Sequence, residues 1–238
     1  MKKKKKRDYF VSCIVAAGGS GSRMQADINK IFLEIGEAPV LAHTLTTLNN
    51  HPEIDELILV TAERDIPGCR DIAEEFNIDK LKVIIRGGAT RQESVKNGLG
   101  EVSEQADMIL VHDAARPLVS PKTIQEVIEG VLAHGAAAAG VPCKNTLKLT
   151  NSEGFIEATP DRSRLYEIQT PQGFKRDVIL NAYAHAEANG ITGTDDCYLA
   201  EQLGAPIKIT EGDYRNIKIT TPEDLILAEQ ILSAPFAD

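Results

Sequence analysis

At 238 residues, with 42% hydrophobic and 26% charged residues, the chain suits one α/β domain with a substantial core and excludes a disordered, collagen-like or disulfide-framework protein. No apolar run nears the roughly 20 residues that span a bilayer, and the basic start, Lys2 to Arg7, leads through Asp8 into an apolar segment too short for a cleaved signal peptide. The net charge is −9, yet the first seven residues carry +6, so residues 8–238 carry −15, which speaks against nucleic acid as a partner and requires any bound phosphate to meet locally placed cations.

These features predict a cytoplasmic protein with no membrane partner. Residues 1–7 form a solvated basic tail, because polybasic anchoring ordinarily needs a second signal. Cys13, Cys69, Cys143 and Cys197 show no C-x-x-C spacing and no histidine at metal-ligand distance, so they read as small buried hydrophobes in a reducing compartment.

In chain order, strand-like runs recur at Phe10 to Ala16, Leu57 to Thr61, Lys82 to Arg86, Met108 to His112 and Ala136 to Val141. Helical patterns between them start at Pro39, near Glu63, at Arg91 and at Pro121. Thr90-Arg91-Gln92-Glu93 fits a capping box. Ser120-Pro121 places an N-cap before a proline in the first turn, and Gly135 stands past that helix's end. Apolar strands alternating with helices imply βαβ units and a parallel sheet.

The rhythm breaks after Val141. Lys144 to Thr150 and Phe155 to Thr159 flank the turn Asn151-Ser152-Glu153-Gly154, which predicts a β-hairpin arm. An arm unable to bury both faces alone packs on a second subunit, so a homodimer is expected. Helices at Lys175 to Asn189 and Thr194 to Leu203 precede strands near Pro206 to Thr210 and Ile217 to Thr220. Thr221-Pro222-Glu223-Asp224 caps a last helix reaching Leu232. The expected organisation is one domain over 8–238, with the arm at about 142–165.

Chemistry is expected first in Ala17-Gly18-Gly19-Ser20-Gly21-Ser22-Arg23-Met24, directly after the first strand. Its glycines let backbone N–H groups approach an anion at the C-terminal edge of the sheet. A dinucleotide G-x-G-x-x-G starting at Gly19 fails because Met24 stands at the third glycine position, which counts against a nicotinamide oxidoreductase. A P-loop fails because no Gly-Lys-Ser/Thr follows. Two cations do follow, Arg23 and Lys30.

The glycine loop with Arg23-Met24 and Asn29-Lys30 resembles sugar-phosphate nucleotidyltransferases. Leu110-Val111-His112-Asp113-Ala114-Ala115-Arg116-Pro117, Thr170-Pro171-Gln172, Gly193-Thr194-Asp195-Asp196 and Asn216-Ile217-Lys218-Ile219-Thr220 narrow the resemblance to the 2-C-methyl-D-erythritol 4-phosphate cytidylyltransferase family, in order from Val11 to Leu232. That resemblance implies a Rossmann-like fold, with a mostly parallel sheet, flanking helices and the protruding arm. It implies CTP and a polyol phosphate as substrates and Mg²⁺ as cofactor, with no metal ligand assigned. Arg23, Lys30, Arg162 and Lys218 would be catalytic; Ala17, Gly18, Gly19, Gly88, Ser94 and Ala114 would bind CTP. Asp113, Arg116, Thr146 and Thr170 would hold the second substrate, partly across the dimer. The family often has aspartate where this chain has Ala89, and many members have proline where it has Ala16.

Such a transfer needs no general base, because a phosphate monoester is largely dianionic at neutral pH and attacks the α-phosphorus directly. His112, at a strand end, is expected to be structural, Asp113 functional, and Asp195 and Asp196 to lie in a first helical turn, where carboxylates suit the dipole. Two alternatives stay open: a ribitol-5-phosphate cytidylyltransferase, whose family more often has valine at Ala115, and a CTP-binding regulator without turnover.

Overall fold

The computed structural model describes residues 7–18 and 29–233. β1 (Val11–Ala16) is followed by a short antiparallel pair, β2 (Glu34–Ile35) and β3 (Ala38–Pro39), and then α1 (Val40–Asn50). Next come β4 (Glu56–Thr61), α2 (Ile66–Glu75), β5 (Leu81–Arg86), α3 (Arg91–Glu101), β6 (Met108–Asp113), α4 (Pro121–His134) and β7 (Ala136–Pro142). The later part of the chain forms β8 (Leu149–Thr150), β9 (Ile156–Ala158), β10 (Tyr166–Lys175), α5 (Arg176–Asn189), α6 (Asp196–Gln202), β11 (Lys208–Glu211) and α7 (Pro222–Ser233).

Seven strands form one sheet in the order β11-β7-β10-β6-β1-β4-β5, parallel except for β10, which runs antiparallel to β6 and β7. The continuous apolar runs follow from burial on both faces. Val11, Cys13, Val15, Leu57 and Leu59 pack under α1, α2 and α4, where Leu45, Cys69 and Val127 meet them. Ile14, Ile58, Val60, Ile109 and Val111 face the opposite way, toward Val95 of α3 and Ile179 of α5. From β1 the chain proceeds to β4 and β5 on one side, and β6 lies on the other. The C-terminal ends of β1 and β6 therefore flank a topological switch point, where open α/β sheets leave a crevice.

The caps hold α3 and α4 as their sequences require. Thr90 Oγ1 accepts from Glu93 N at 3.0 Å, while the Glu93 carboxylate reaches back to Ala89 N at 2.7 Å, one residue earlier than in the usual box. Ser120 Oγ accepts from Thr123 N at 3.1 Å, and Gly135 closes α4 with φ +89°. The arm forms as expected: β8 and β9 pair antiparallel, and Asn151 Oδ1 holds the turn by accepting from Glu153 N and Phe155 N.

Two elements differ from expectation. Residues 217–220 form no strand; Ile219 is instead buried, with its N–H donating to Ala115 O at 2.8 Å. Conversely, β10 runs through the middle of the sheet although Pro171 argues against a central strand. The proline is tolerated because the β10–β7 register shifts between Ile168 and Gln172, where no ladder donor is required of it.

Candidate active site

Parallel strands β1, β4, β5 and β6 deliver their C-terminal ends to one edge, and the candidate residues cluster there. Just past β1, Ala17 N donates to Val60 O at 2.8 Å. Gly18 follows, so close to α3 that a Cβ would stand 3.2 Å from Ser94 Oγ. Gly87 and Gly88, past β5, close the other wall: a Cβ at Gly87 would lie 2.6 Å from Ser94 Oγ, and one at Gly88 would lie 2.2 Å from Glu93 Cβ. A side chain at Gly87 or Gly88 would force this wall to shift, and one at Gly18 would need Ser94 to give by a few tenths of an ångström. Ser94 is buried and ties the wall together, accepting from Gly88 N at 3.1 Å and donating to Thr90 O at 2.8 Å. Thus Ala17, Gly18, Gly88 and Ser94 lie together at this edge.

Lys30 opens a short 3₁₀ turn, Lys30–Phe32, next to this cradle. The preceding Asn29 is buried and anchors the turn, donating from Nδ2 to Asp65 Oδ2 at 2.8 Å and to Ala17 O at 3.5 Å. Gly19 and Arg23 lie outside the described residues.

Beside the cradle, at the end of β6, stands a charge cluster. Asp113 is buried and meets three cations: Lys218 Nζ at 2.7 Å, Arg91 Nε at 3.3 Å and Arg116 Nε at 3.7 Å. Burial alone would raise the Asp113 carboxyl, but Arg91, Lys218 and Arg116 outweigh it and hold the group well below the usual carboxylate range. Arg116 also donates to Asn216 O at 2.7 Å, and burial lowers the value of its guanidinium. Arg91, Asp113, Arg116, Gln169, Thr170, Gln172 and Lys218 line a cavity of about 230 Å³ at this point.

Polar side chains on β10 frame the cluster. Asp113 N donates to Thr170 Oγ1 at 3.0 Å, and Thr170 Oγ1 lies 3.0 Å from His112 Nδ1. His112 Nε2 faces Arg116 O at 3.4 Å. A neutral ring with its proton on Nε2 satisfies all three contacts: Thr170 donates to Nδ1, and Nε2 donates to the carbonyl. Burial pushes His112 down to about 4, so it is uncharged at neutral pH, in keeping with a structural role. Gln172 accepts from Asp196 N and Cys197 N, and donates to Asp195. Asp195 in turn caps α6 through Tyr198 N.

Ala114 is fully buried, with its N–H given to Ala16 O at 3.0 Å and its carbonyl accepting from Thr44 at 2.8 Å. It joins the ends of β1 and β6 and so keeps the cradle beside the charge cluster. Thr146 and Arg162 do not join the site within one chain. Both are exposed on or beside the arm, and Arg162 donates to Lys144 O at 2.9 Å.

Sequence reading missed Arg91, Asp196, Gln169, Gln172 and Asn216 as site residues. Arg91 was visible only as part of a cap, whereas its guanidinium bridges Asp113 and Asp196. Asn216 Nδ2 donates to Thr170 O at 2.9 Å, a contact hidden behind the adjacent Lys218 in the sequence. Among the described residues, no group of three or more His, Cys, Asp or Glu side chains gathers to hold a metal.

Residues 11–234 match the family model for IspD, 2-C-methyl-D-erythritol 4-phosphate cytidylyltransferase. A protein of that name from Syntrophotalea carbinolica is 43% identical over 227 residues, which cover 94% of this chain and 97% of the relative. One from Clostridium botulinum is 45% identical over 221 residues, covering 93% of this chain and 96% of its own. Among solved structures, the 4-diphosphocytidyl-2C-methyl-D-erythritol synthase of Anaerococcus prevotii superposes with a TM-score of 0.85 at 34% identity, covering 95% of this chain and 97% of that one.

Proposed function

Because the chain belongs to the 2-C-methyl-D-erythritol 4-phosphate cytidylyltransferase family, we propose that the cation cluster around Asp113 receives the phosphate of the acceptor while the glycine cradle holds CTP. The chain is a cytidylyltransferase. It transfers the cytidylyl group of CTP to 2-C-methyl-D-erythritol 4-phosphate, giving 4-diphosphocytidyl-2-C-methyl-D-erythritol and pyrophosphate in non-mevalonate isoprenoid synthesis.

One observation carries the assignment of roles: Lys218, Arg116 and Arg91 converge on Asp113 directly beside Ala17 and Gly18, at the switch point of the sheet. A phosphate oxygen of the acceptor attacks the α-phosphorus, a new P–O bond forms, and the bond to the β-phosphate oxygen breaks as pyrophosphate leaves. The reactants are both anionic, so the protein's share is positioning and charge neutralisation rather than proton removal. Lys218 and Arg116 orient the acceptor phosphate, and Thr170 and Asp113 shape its pocket. Backbone groups of Ala17, Gly18 and Gly88, together with Ser94, hold the nucleotide, and Lys30 and Arg23 oppose the charge growing on the triphosphate.

Mg²⁺ belongs to this proposal as a companion of CTP. Asp113 already faces three cations and the described residues form no carboxylate cage, so the triphosphate and water would hold most of its coordination shell. When bound it neutralises phosphate charge.

A homodimer through the arm is likewise proposed, with Thr146 and Arg162 completing the partner's acceptor site. Its support is the exposure of Leu149, Phe155 and Ile156, an apolar surface that a lone arm cannot cover. The unit proposed is one domain over 8–238, placed in the cytoplasm. Four unpaired, buried cysteines support a reducing compartment, and no helix among the described residues is long and apolar enough to cross a membrane.

The test is pyrophosphate release from purified protein with CTP, Mg²⁺ and either 2-C-methyl-D-erythritol 4-phosphate or ribitol 5-phosphate. Release with the first substrate well above the second is expected. Preference for ribitol 5-phosphate, or tight CTP binding without product, would reject the assignment.

A further inference from the structure

Arg91 does more than start α3. It directly follows the cradle residues Gly87 to Thr90, yet its guanidinium reaches away from them into the charge cluster. Nε stands 3.3 Å from Asp113 Oδ1 and one terminal nitrogen stands 2.8 Å from Asp196 Oδ2. Asp196 is buried and is fixed from its other side by Tyr183 OH at 2.6 Å, while its backbone N–H is held by Gln172. Hence one planar fork spans two carboxylates carried by different elements, and its outer anchor cannot move without disturbing α5, α6 and β10. Lysine, with a single ammonium, cannot make this bridge.

The charges give the bridge a consequence. Arg91, Arg116 and Lys218 face Asp113 and Asp196, and Asp195 lines the same cavity, so three cations balance three carboxylates. Without Arg91 the carboxylates outnumber the cations by one, and Lys218 and Arg116 are both drawn to them. We propose that Arg91 is a positioning residue for the acceptor: it neutralises and orients Asp113, which frees Lys218 and Arg116 to bind the acceptor phosphate. It acts through Asp113 and leaves nucleotide binding to the cradle.

This inference rests on the transfer reaction proposed above. Wild-type pyrophosphate release, measured alongside, reports on that reaction separately. In Arg91→Gln, the KM for the polyol phosphate should rise by about tenfold or more, the scale of losing a charged contact, while the KM for CTP stays within about threefold of wild type. Arg91→Lys keeps the charge but loses the fork and should fall between the two. If Arg91→Gln does not fold, Arg91→Lys decides: a raised acceptor KM with an unchanged CTP KM supports the role. An unchanged acceptor KM, or equal rises in both KM values as a merely structural defect would give, overturns it.

Discussion

The ammonium of Lys218 lies 2.7 Å from Asp113 Oδ2, joining an irregular segment near the C-terminus to the end of a central strand. Ile219 is the anchor that makes this possible, buried and hydrogen-bonded to Ala115 O at 2.8 Å. The lysine itself remains more than a third exposed, at 38%, so it is positioned at the rim of the cavity while the aspartate beneath it is not. This rim cation can turn toward an arriving phosphate because the aspartate beneath it keeps Arg91 and Arg116 as partners when Lys218 swings away.

Lys218→Met should therefore separate activity from stability. The expected loss in kcat/KM is about two to three decades, the scale of removing one transition-state charge contact. The stability change should stay below about 1 kcal/mol, since Asp113 keeps Arg91 and Arg116. Steady-state kinetics and urea unfolding of the same preparation check this; a large stability loss with little kinetic change would make Lys218 a structural residue.

Lys30 is the second cation to test. Asn29 pins its turn to Ala17 O and Asp65, so the side chain starts from a fixed point beside the cradle. Lys30→Ala should lower kcat/KM by roughly two to three decades. Lys30→Arg should also be impaired, because a flat guanidinium replaces a compact ammonium. A near-wild-type rate for Lys30→Ala would remove Lys30 from the transfer step.

A packing prediction concerns Gly173 on β10. A Cβ there would stand 2.8 Å from each of Leu110, Val127 and Val131, so Gly173→Ala overpacks the layer between the sheet and α4. The expected cost is about 1–3 kcal/mol, a fall in Tm of some 2–12 °C for a chain of this size. At permissive temperature kcat/KM should remain within about threefold of wild type. Scanning calorimetry with kinetics at low temperature checks both halves, and an unchanged Tm would show that the layer is looser than its distances.

The legible parts of this molecule were those written in local chemistry. Thr90 and Ser120 announced two helix starts, and the apolar runs around Ile14 and Ile58 announced strands buried on both faces. The illegible parts depended on distant partners. β10 was hidden because Pro171 contradicts a central strand until the register shift beside it is seen. Ile217 and Ile219 mimic strand alternation, but Ile219 packs with Val40 and Ala115 in a small cluster away from the sheet. Arg91 read as a capping residue because its partners Asp113 and Asp196 lie 22 and 105 positions away. The glycines and Lys218 stand in continuous motifs that the sequence displays, whereas the bridge linking the two carboxylates has no local signature.

His112 makes a prediction whose sign separates it from its neighbour Asp113. The ring is fully buried between Thr170 and Arg116 O, and its value falls from 6.5 to about 4. Between those limits the unfolded chain binds a proton that the folded chain refuses, so stability declines as pH falls from about 6.5 toward 4. The full decline attributable to this residue is on the order of 3 kcal/mol. Asp113 contributes nothing in that window. Its carboxyl is held below the ordinary 3.8, so the stability it supplies is intact above that pH and is lost only in stronger acid. His51, also lowered by burial, titrates in the same direction as His112 and is present in both proteins to be compared. The measurement is urea unfolding of wild type and His112→Gln at pH 7 and pH 4.5. Whatever the variant costs at pH 7, its stability should fall less between the two pH values, by about 2–3 kcal/mol. Equal falls would mean that the folded protein takes up the ring's proton as readily as the unfolded chain does, with Nδ1 then donating to Thr170 Oγ1 instead of accepting from it while Nε2 still donates to Arg116 O.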